Sequence, residues 1–119
     1  MIFTEVLRNV AGKVDGCVGL VVMGMDGIPI ERLVTDSIKN FDVLATESTG
    51  LLRATIQASN ELTAGAFKEL NFVTESLSVL AVAITGDYVL LGAFRPWSNH
   101  GKGRFYLKLA AQQLEKEFL

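Results

Sequence analysis

The sequence predicts an α+β fold, an α/β/α sandwich built around a five-stranded antiparallel sheet. Two strand segments, 17–23 and 77–85, are apolar at alternating positions on both faces, so each needs cover on both sides. Every strand-to-strand connection is a short turn, which favours antiparallel pairing. One long and two terminal segments have helical periodicity. We therefore expect the long helix on one face of the sheet and the two terminal helices on the other.

The chain begins with a short amphipathic helix and a hairpin. Residues 2–11 place apolar side chains at helical spacing. The strand at 17–23 then runs into an Asp-Gly dipeptide at 26–27, which is typical of hairpin turns because it tolerates positive φ. The returning strand, 28–34, contains Pro29. Proline cannot donate to a strand ladder, so we expect this strand at an edge of the sheet.

A predicted helix over residues 42–65 organises the rest of the chain. It follows a polar connection, and Asn40 or Asp42 is the expected N-cap. Two lines of low polarity run along this helix, about a quarter turn apart. One line consists of Leu44, Leu51, Thr55, Ala58 and Leu62, and the other of Ala45, Thr49, Leu52, Ile56 and Thr63.

The two lines together cover about half of the helix, which is more than the ~100° stripe that packs on one core. We predict that the first line packs on the sheet of its own chain and that the second packs on a second copy. Leu52→Asp should then split the dimer. The alternative is a helix that lies deep in the core of a monomer.

The second half of the chain predicts a three-stranded meander and a last helix. The strands lie at 69–74, 77–85 and 88–94, and Pro96 ends the third. The final helix, over 102–118, has its apolar side chains on one face. No repeat, linker or low-complexity segment interrupts the chain, so we expect a single domain over 1–119.

Composition limits the classes of protein and partner. The chain has 119 residues, half of them hydrophobic, and a small domain this apolar needs a partner to cover its surplus. Its formal net charge of −2 gives no electrostatic basis for binding nucleic acid. The apolar runs are far shorter than the ~20 residues of a spanning helix, so we expect no membrane insertion. Cys17 is the single cysteine, and no signal peptide is evident, which together predict a cytoplasmic protein.

Five segments resemble the Roadblock/dynein light-chain family, in particular its bacterial GTPase-regulator-like members. They are the strand at 16–23, the turn and strand at 25–30, the helix rich in small residues at 44–65, the Thr-Gly-Asp turn at 85–87 and the Asn-His-Gly segment at 99–101. The resemblance covers nearly the whole chain. It implies a profilin-like sandwich of the kind that the residue pattern predicts.

The resemblance also implies how two copies join. The strand with Pro29 would lie at one edge of the sheet and the strand at 69–74 at the other, where a second copy pairs and the long helices lie side by side. The residues agree, since 69–74 contains no proline and keeps its backbone groups available. The predicted dimer interface consists of Ala45, Thr49, Leu52, Ile56, Thr63, Phe72 and Thr74.

Members of this family regulate or scaffold nucleotide-hydrolysing proteins, including Ras-like GTPases and the dynein motor. The resemblance therefore implies a non-enzymatic homodimer that binds a small Ras-like GTPase, or another NTPase, and modulates its nucleotide state. The alternative is a non-catalytic scaffold subunit of a larger complex or motor that leaves nucleotide hydrolysis unchanged.

The polar arc of the long helix is the predicted partner-docking surface. Its residues are Glu47, Gly50, Arg53, Gln57 and Glu61. Gly50 costs a helix interior ~1 kcal/mol relative to alanine, which either marks the close approach of another backbone or is neutral. Arg53 is a candidate arginine finger, although a mid-helix arginine is more commonly a plain exposed charge.

The residues assemble no catalytic or metal site, and we expect no cofactor. His100 is the only histidine and lies near a helix start, and Cys17 is expected in the core. The Gly-Lys-Gly-Arg segment at 101–104 resembles a phosphate cradle, but it lacks the full G-x-x-x-x-G-K-[ST] spacing. A small enzyme or an anion sensor using this segment is a third hypothesis.

Charge is unevenly placed near the same segment. No acidic residue occurs between Asp87 and Glu115, whereas four basic residues do: Arg95, Lys102, Arg104 and Lys108. These are either solvated cations or a basic end that meets an acidic partner or phosphates.

Overall fold

The computed structural model describes residues 2–35 and 40–118 and confirms the predicted sandwich. Its elements, in chain order, are α1 (Ile2–Lys13), β1 (Cys17–Gly24), β2 (Pro29–Val34), α2 (Phe41–Glu61), β3 (Glu69–Val73), β4 (Ser78–Ala83), β5 (Tyr88–Phe94) and α3 (His100–Glu115), which continues into a short 3₁₀ turn (Lys116–Phe118). Most of the predicted connection at 35–41 lies outside the described residues. The remaining boundaries agree with the prediction to within a few residues.

The five strands form one sheet in the order β2-β1-β5-β4-β3, and every neighbouring pair is antiparallel. The strand with Pro29 is one edge, as predicted, and β3 is the other. Pro29 lies opposite Met23, where the register between β1 and β2 shifts at a bulge. A proline and a bulge both discourage further pairing, so this edge is blocked.

The core has two layers, one on each face of the sheet. In β1, Leu20 and Val22 pack with α1 and α3, whereas Val21 and Met23 pack with α2. All eight residues of β1 are buried. This double burial explains the apolar pattern on both faces of the central strands and confirms the predicted division of the helices.

Helix α2 begins one residue earlier and ends four residues earlier than predicted. Its first residue, Phe41, packs on Gly19 of β1 so closely that a Cβ on Gly19 would lie 2.6 Å from Phe41 Cε1. Asn40 holds the N-cap position with a left-handed φ of 63° and makes no side-chain capping bond. The helix ends at Glu61 because Thr63 also takes a left-handed backbone, with φ 54°.

Candidate protein-interaction surface

The two lines of α2 exchange the roles that were predicted for them, so the helix is rotated by about a quarter turn from the predicted orientation. Its buried residues are Phe41, Ala45, Ser48, Thr49 and Leu52. Leu52 is completely buried, whereas Leu51 is 48% exposed and Leu62 is 77% exposed. The prediction that the line of Leu44, Leu51 and Leu62 faces the sheet is therefore wrong, and the line of Ala45, Thr49 and Leu52 faces it instead.

Small side chains explain this orientation. Ala45, Ser48 and Thr49 let the helix backbone approach the sheet more closely than three leucines would. The two buried hydroxyls carry no unmet polar cost, because Ser48 Oγ donates to the Leu44 carbonyl at 2.7 Å and Thr49 Oγ1 donates to the Ala45 carbonyl at 3.2 Å. Polar residues of this kind therefore pack against the core as apolar ones do.

The orientation corrects part of the predicted dimer interface. Ala45, Thr49 and Leu52 are buried within their own subunit and present no surface to a second copy. Thr63 lies beyond the end of α2 rather than on its line. The other members of the predicted interface, Ile56, Phe72 and Thr74, are half-buried or exposed and remain predictions.

The exposed line lies on the flank of α2 away from β2, and β3 is the edge of the sheet on that side. The opposite flank is next to β2, since Asp42 pairs with Arg32 and a Cβ on Gly27 would lie 3.1 Å from Thr49 Oγ1. Leu44 comes two residues after Asp42, and Leu51 comes two residues after Thr49. Two residues correspond to a rotation of roughly 200° about the helix axis, so both leucines lie on the flank away from β2. We define the apolar flank as Leu44, Leu51, Thr55, Ala58 and Leu62.

Strand β3, the edge strand on the side of the apolar flank, has an open edge. Among the described residues β3 pairs only with β4. The Thr74 amide donates to the Leu77 carbonyl at 2.8 Å, and the Ala83 amide donates to the Lys68 carbonyl at 2.9 Å. Since backbone groups alternate along an antiparallel strand, the amides and carbonyls of residues 69, 71 and 73 point away from β4. Three donors and three acceptors are available for another strand.

The predicted partner-docking residues all lie on the outer surface of α2. All five are exposed: Glu47, Gly50, Arg53, Gln57 and Glu61. Gln57 Nε2 donates to Glu61 Oε1 at 3.4 Å. A Cβ on Gly50 would meet nothing within 4 Å. Their role as a docking surface remains a prediction.

The candidate chemical groups have ordinary structural roles. Cys17 is buried at the start of β1, and burial raises the pKa of its thiol to about 11, which disfavours the reactive thiolate. His100 is exposed in the first turn of α3, and Asn99 caps that helix by accepting from the Lys102 amide at 2.9 Å. Within 2–35 and 40–118, no group of three or more His, Cys, Asp or Glu residues could hold a metal ion.

Sequence reasoning missed the role of Glu69. Its carboxylate accepts from Arg104 Nε at 3.0 Å and from Lys108 Nζ at 3.1 Å, which ties α3 to β3. The spacing of Arg104 and Lys108, four residues apart on one helix face, was the available signal.

None of the helices in the described part of the chain is long and apolar enough to cross a membrane.

Comparison with solved structures supports a Roadblock-family assignment. The chain is 28% identical to MglC from Myxococcus xanthus at a TM-score of 0.71, with 98% of this chain and 99% of that chain covered. It is 19% identical to the gliding protein MglB from Thermus thermophilus at a TM-score of 0.87, covering 97% and 87% of the two chains. A Roadblock/LC7 domain from Streptomyces avermitilis is 11% identical at a TM-score of 0.85, covering 96% and 95%. No family model and no curated protein matches the sequence.

Proposed function

We propose that this chain, which has the Roadblock/LC7 fold, is a homodimeric regulatory or adaptor protein that binds a small Ras-like GTPase and modulates its nucleotide state. The observation that carries the proposal is the exposed apolar flank of α2 on the side of the sheet where the β3 edge is open. The apolar flank is apolar surface that nothing in its own subunit covers, and the β3 edge is a row of unpaired backbone groups. A second copy related by a twofold axis satisfies both at once.

In the proposed dimer the two β3 strands pair antiparallel. A twofold axis beside Asn71 brings the outward-pointing groups of residues 69, 71 and 73 of one chain opposite those of residues 73, 71 and 69 of its partner. The two sheets then become continuous. The apolar flanks of the two α2 helices meet across the same axis, and the leucines there lose their contact with water.

Dimer formation would place the partner-docking residues of both copies on one outer surface. The set combines acidic Glu47 and Glu61 with basic Arg53, so it suits a partner of mixed charge. The resemblance to a family that regulates Ras-like GTPases suggests the class of partner. The similar structures include a gliding protein, which is compatible with a bacterial regulatory role.

The function is tested by GTP hydrolysis. A Ras-like GTPase from the same cell is assayed with and without the protein under single-turnover conditions, and binding is measured in parallel. We expect binding and a change in the hydrolysis or exchange rate. Arg53→Ala should weaken binding, whereas Arg8→Ala, an exposed arginine on α1 at the opposite face of the sheet, should not. Equal loss in both variants, or no binding at all, would refute the proposed surface.

A scaffold that leaves hydrolysis unchanged is the second candidate. The position of Arg53 favours the scaffold, because this residue lies in the middle of the 21-residue helix α2 rather than on a mobile loop. An arginine finger must reach the transferring phosphate in the partner's site. Binding without any rate change would assign the chain to this class.

A further inference from the structure

A cavity of about 130 Å³ lies where the start of α3 crosses the ends of β3, β4 and β5. Its apolar wall includes Leu80 and Phe94, and its polar wall includes Asn71, Ser78, His100 and Arg104. The cavity is on the α3 face of the sheet, so it is separate from the apolar flank of α2. The docking surface does not include the cavity, whereas its lining residue Asn71 lies at the proposed twofold axis, so a second copy would lie next to the cavity.

The hydroxyl of Ser78 is the least expected group in this cavity. Ser78 is only 4% exposed, and its side chain shares a face of β4 with Leu80, which packs against α3. Throughout the described residues this hydroxyl has no hydrogen-bond partner. Since no buried side-chain nitrogen or oxygen among the described residues lacks a hydrogen-bond partner, Ser78 Oγ must reach solvent through the cavity. The hydroxyl is therefore free to donate to a group that binds there.

The first turn of α3 adds unpaired backbone donors to the same wall. Asn99 accepts from the Lys102 amide through its side chain and from the Gly103 amide, at 2.9 Å, through its carbonyl. The amides of His100 and Gly101 make no bond to any residue that the structure describes. The first turn contains no acidic residue, so the positive end of the helix dipole is uncompensated.

Arg104 brings a formal charge to the cavity. It shares the single carboxylate of Glu69 with Lys108, so the three groups together carry one net positive charge. Arg104 uses Nε for Glu69, which leaves its terminal Nη groups without a bond in the described part of the chain. Of the two cations, only Arg104 lines this cavity, since Lys108 lies against a separate surface groove.

We propose that this cavity binds a tetrahedral oxyanion of the phosphate class. The Ser78 hydroxyl, the amides of His100 and Gly101 and the Arg104 guanidinium would donate to it. The volume suits one phosphate group and is well below the roughly 300 Å³ at which small-molecule pockets begin, so a whole nucleoside does not fit. The anion is therefore free phosphate or the exposed terminal phosphoryl group of a larger molecule.

Calorimetric titration of the protein with inorganic phosphate, at constant ionic strength, tests the proposal. We expect saturable binding of one phosphate per subunit in the millimolar range. Ser78→Ala should weaken it roughly tenfold, the usual effect of losing one hydrogen bond to a charged group. The same variant should unfold no more easily than the wild type without phosphate, because its hydroxyl makes no bond in the protein. An unchanged affinity in Ser78→Ala would overturn the site.

Arg104→Gln and Lys108→Gln form a matched pair, because each removes one positive charge and one bond to Glu69. Arg104→Gln should abolish phosphate binding, whereas Lys108→Gln should preserve most of it. Equal losses would mean only general charge attraction and would refute a built site, as would the absence of binding at millimolar phosphate. Competition by GTP would assign the site to a phosphoryl group, and phosphate binding without such competition would assign it to the free anion.

Discussion

Leu51→Ala should weaken the dimer without unfolding the subunit. Leu51 lies in the middle of the apolar flank and is 48% exposed in a single subunit, so about half of its side chain remains to be buried by a second copy. Complete burial of a leucine stabilises by about 1.5–3 kcal/mol, so half of it contributes about 1 kcal/mol per subunit and about 2 kcal/mol per dimer. The dissociation constant should rise about 30-fold.

Analytical ultracentrifugation over a range of concentrations measures this change. Leu109→Ala is the matched control, because Leu109 is 37% exposed on α3 at the other face of the sheet, and its loss should leave the dissociation constant unchanged. Far-ultraviolet circular dichroism confirms that both variants are folded. Unfolding must be compared at equal protein concentration, since the stability of a dimer depends on it.

Leu52 separates the observed orientation of α2 from the predicted one. Leu52 is completely buried against the sheet, so Leu52→Ala should destabilise the subunit by about 2–5 kcal/mol. The expectation that Leu52→Asp merely splits the dimer therefore changes to loss of the fold.

A wild-type protein that sediments as a monomer at high concentration, or a Leu51→Ala variant that dimerises normally, would refute the proposed interface.

Three further changes have defined outcomes. Gly50→Ala should raise the free energy of unfolding by about 1 kcal/mol in urea denaturation, since its Cβ has open space, and should weaken GTPase binding if a partner backbone approaches there. Val73→Pro should yield folded monomers by ultracentrifugation because its amide points away from β4, whereas Phe72→Pro should disrupt the sheet and unfold. Burial raises the pKa of Cys17 from 9.0 to about 11, so the unfolded chain loses this proton first and stability should fall between those pH values by up to about 1.4 kcal/mol per pH unit. Urea denaturation of Cys17→Ala should lack that component of the pH dependence.

The fold was predictable because its determinants are local and periodic. The apolar pattern of β1 on both faces requires two helical layers, and Pro29 excludes its strand from the interior. These features depend only on spacing along the chain. The end of α2 was not predictable in the same way, because a threonine in the left-handed region at 63 is set by the loop that follows rather than by its own preference.

The orientation of α2 shows why the candidate site was harder to predict. Periodicity gives the angles between residues on a helix but not which angle faces the sheet. A useful signal lay one residue outside the predicted helix: Phe41 is eleven residues before Leu52, about three turns, and therefore lies on the same line. An aromatic side chain on the line of Leu52 favours that line as the buried one. The cavity beside α3 had a partial signal, the Gly-Lys-Gly-Arg segment at 101–104 that resembles a phosphate cradle, whereas Ser78 is brought to that segment only by the tertiary fold.

The expectation of a partner depends on the width of the low-polarity arc of α2 and not on which part of it faces the sheet. One layer of sheet covers one line, so the other line is left in water in either orientation. In the observed orientation the uncovered line carries three leucines, whereas the predicted orientation would have exposed one alanine, two threonines, one leucine and one isoleucine. The uncovered surface is therefore more apolar than in the predicted orientation, and it lies on the side of the open β3 edge. Both differences strengthen the physical case for a second copy at this position.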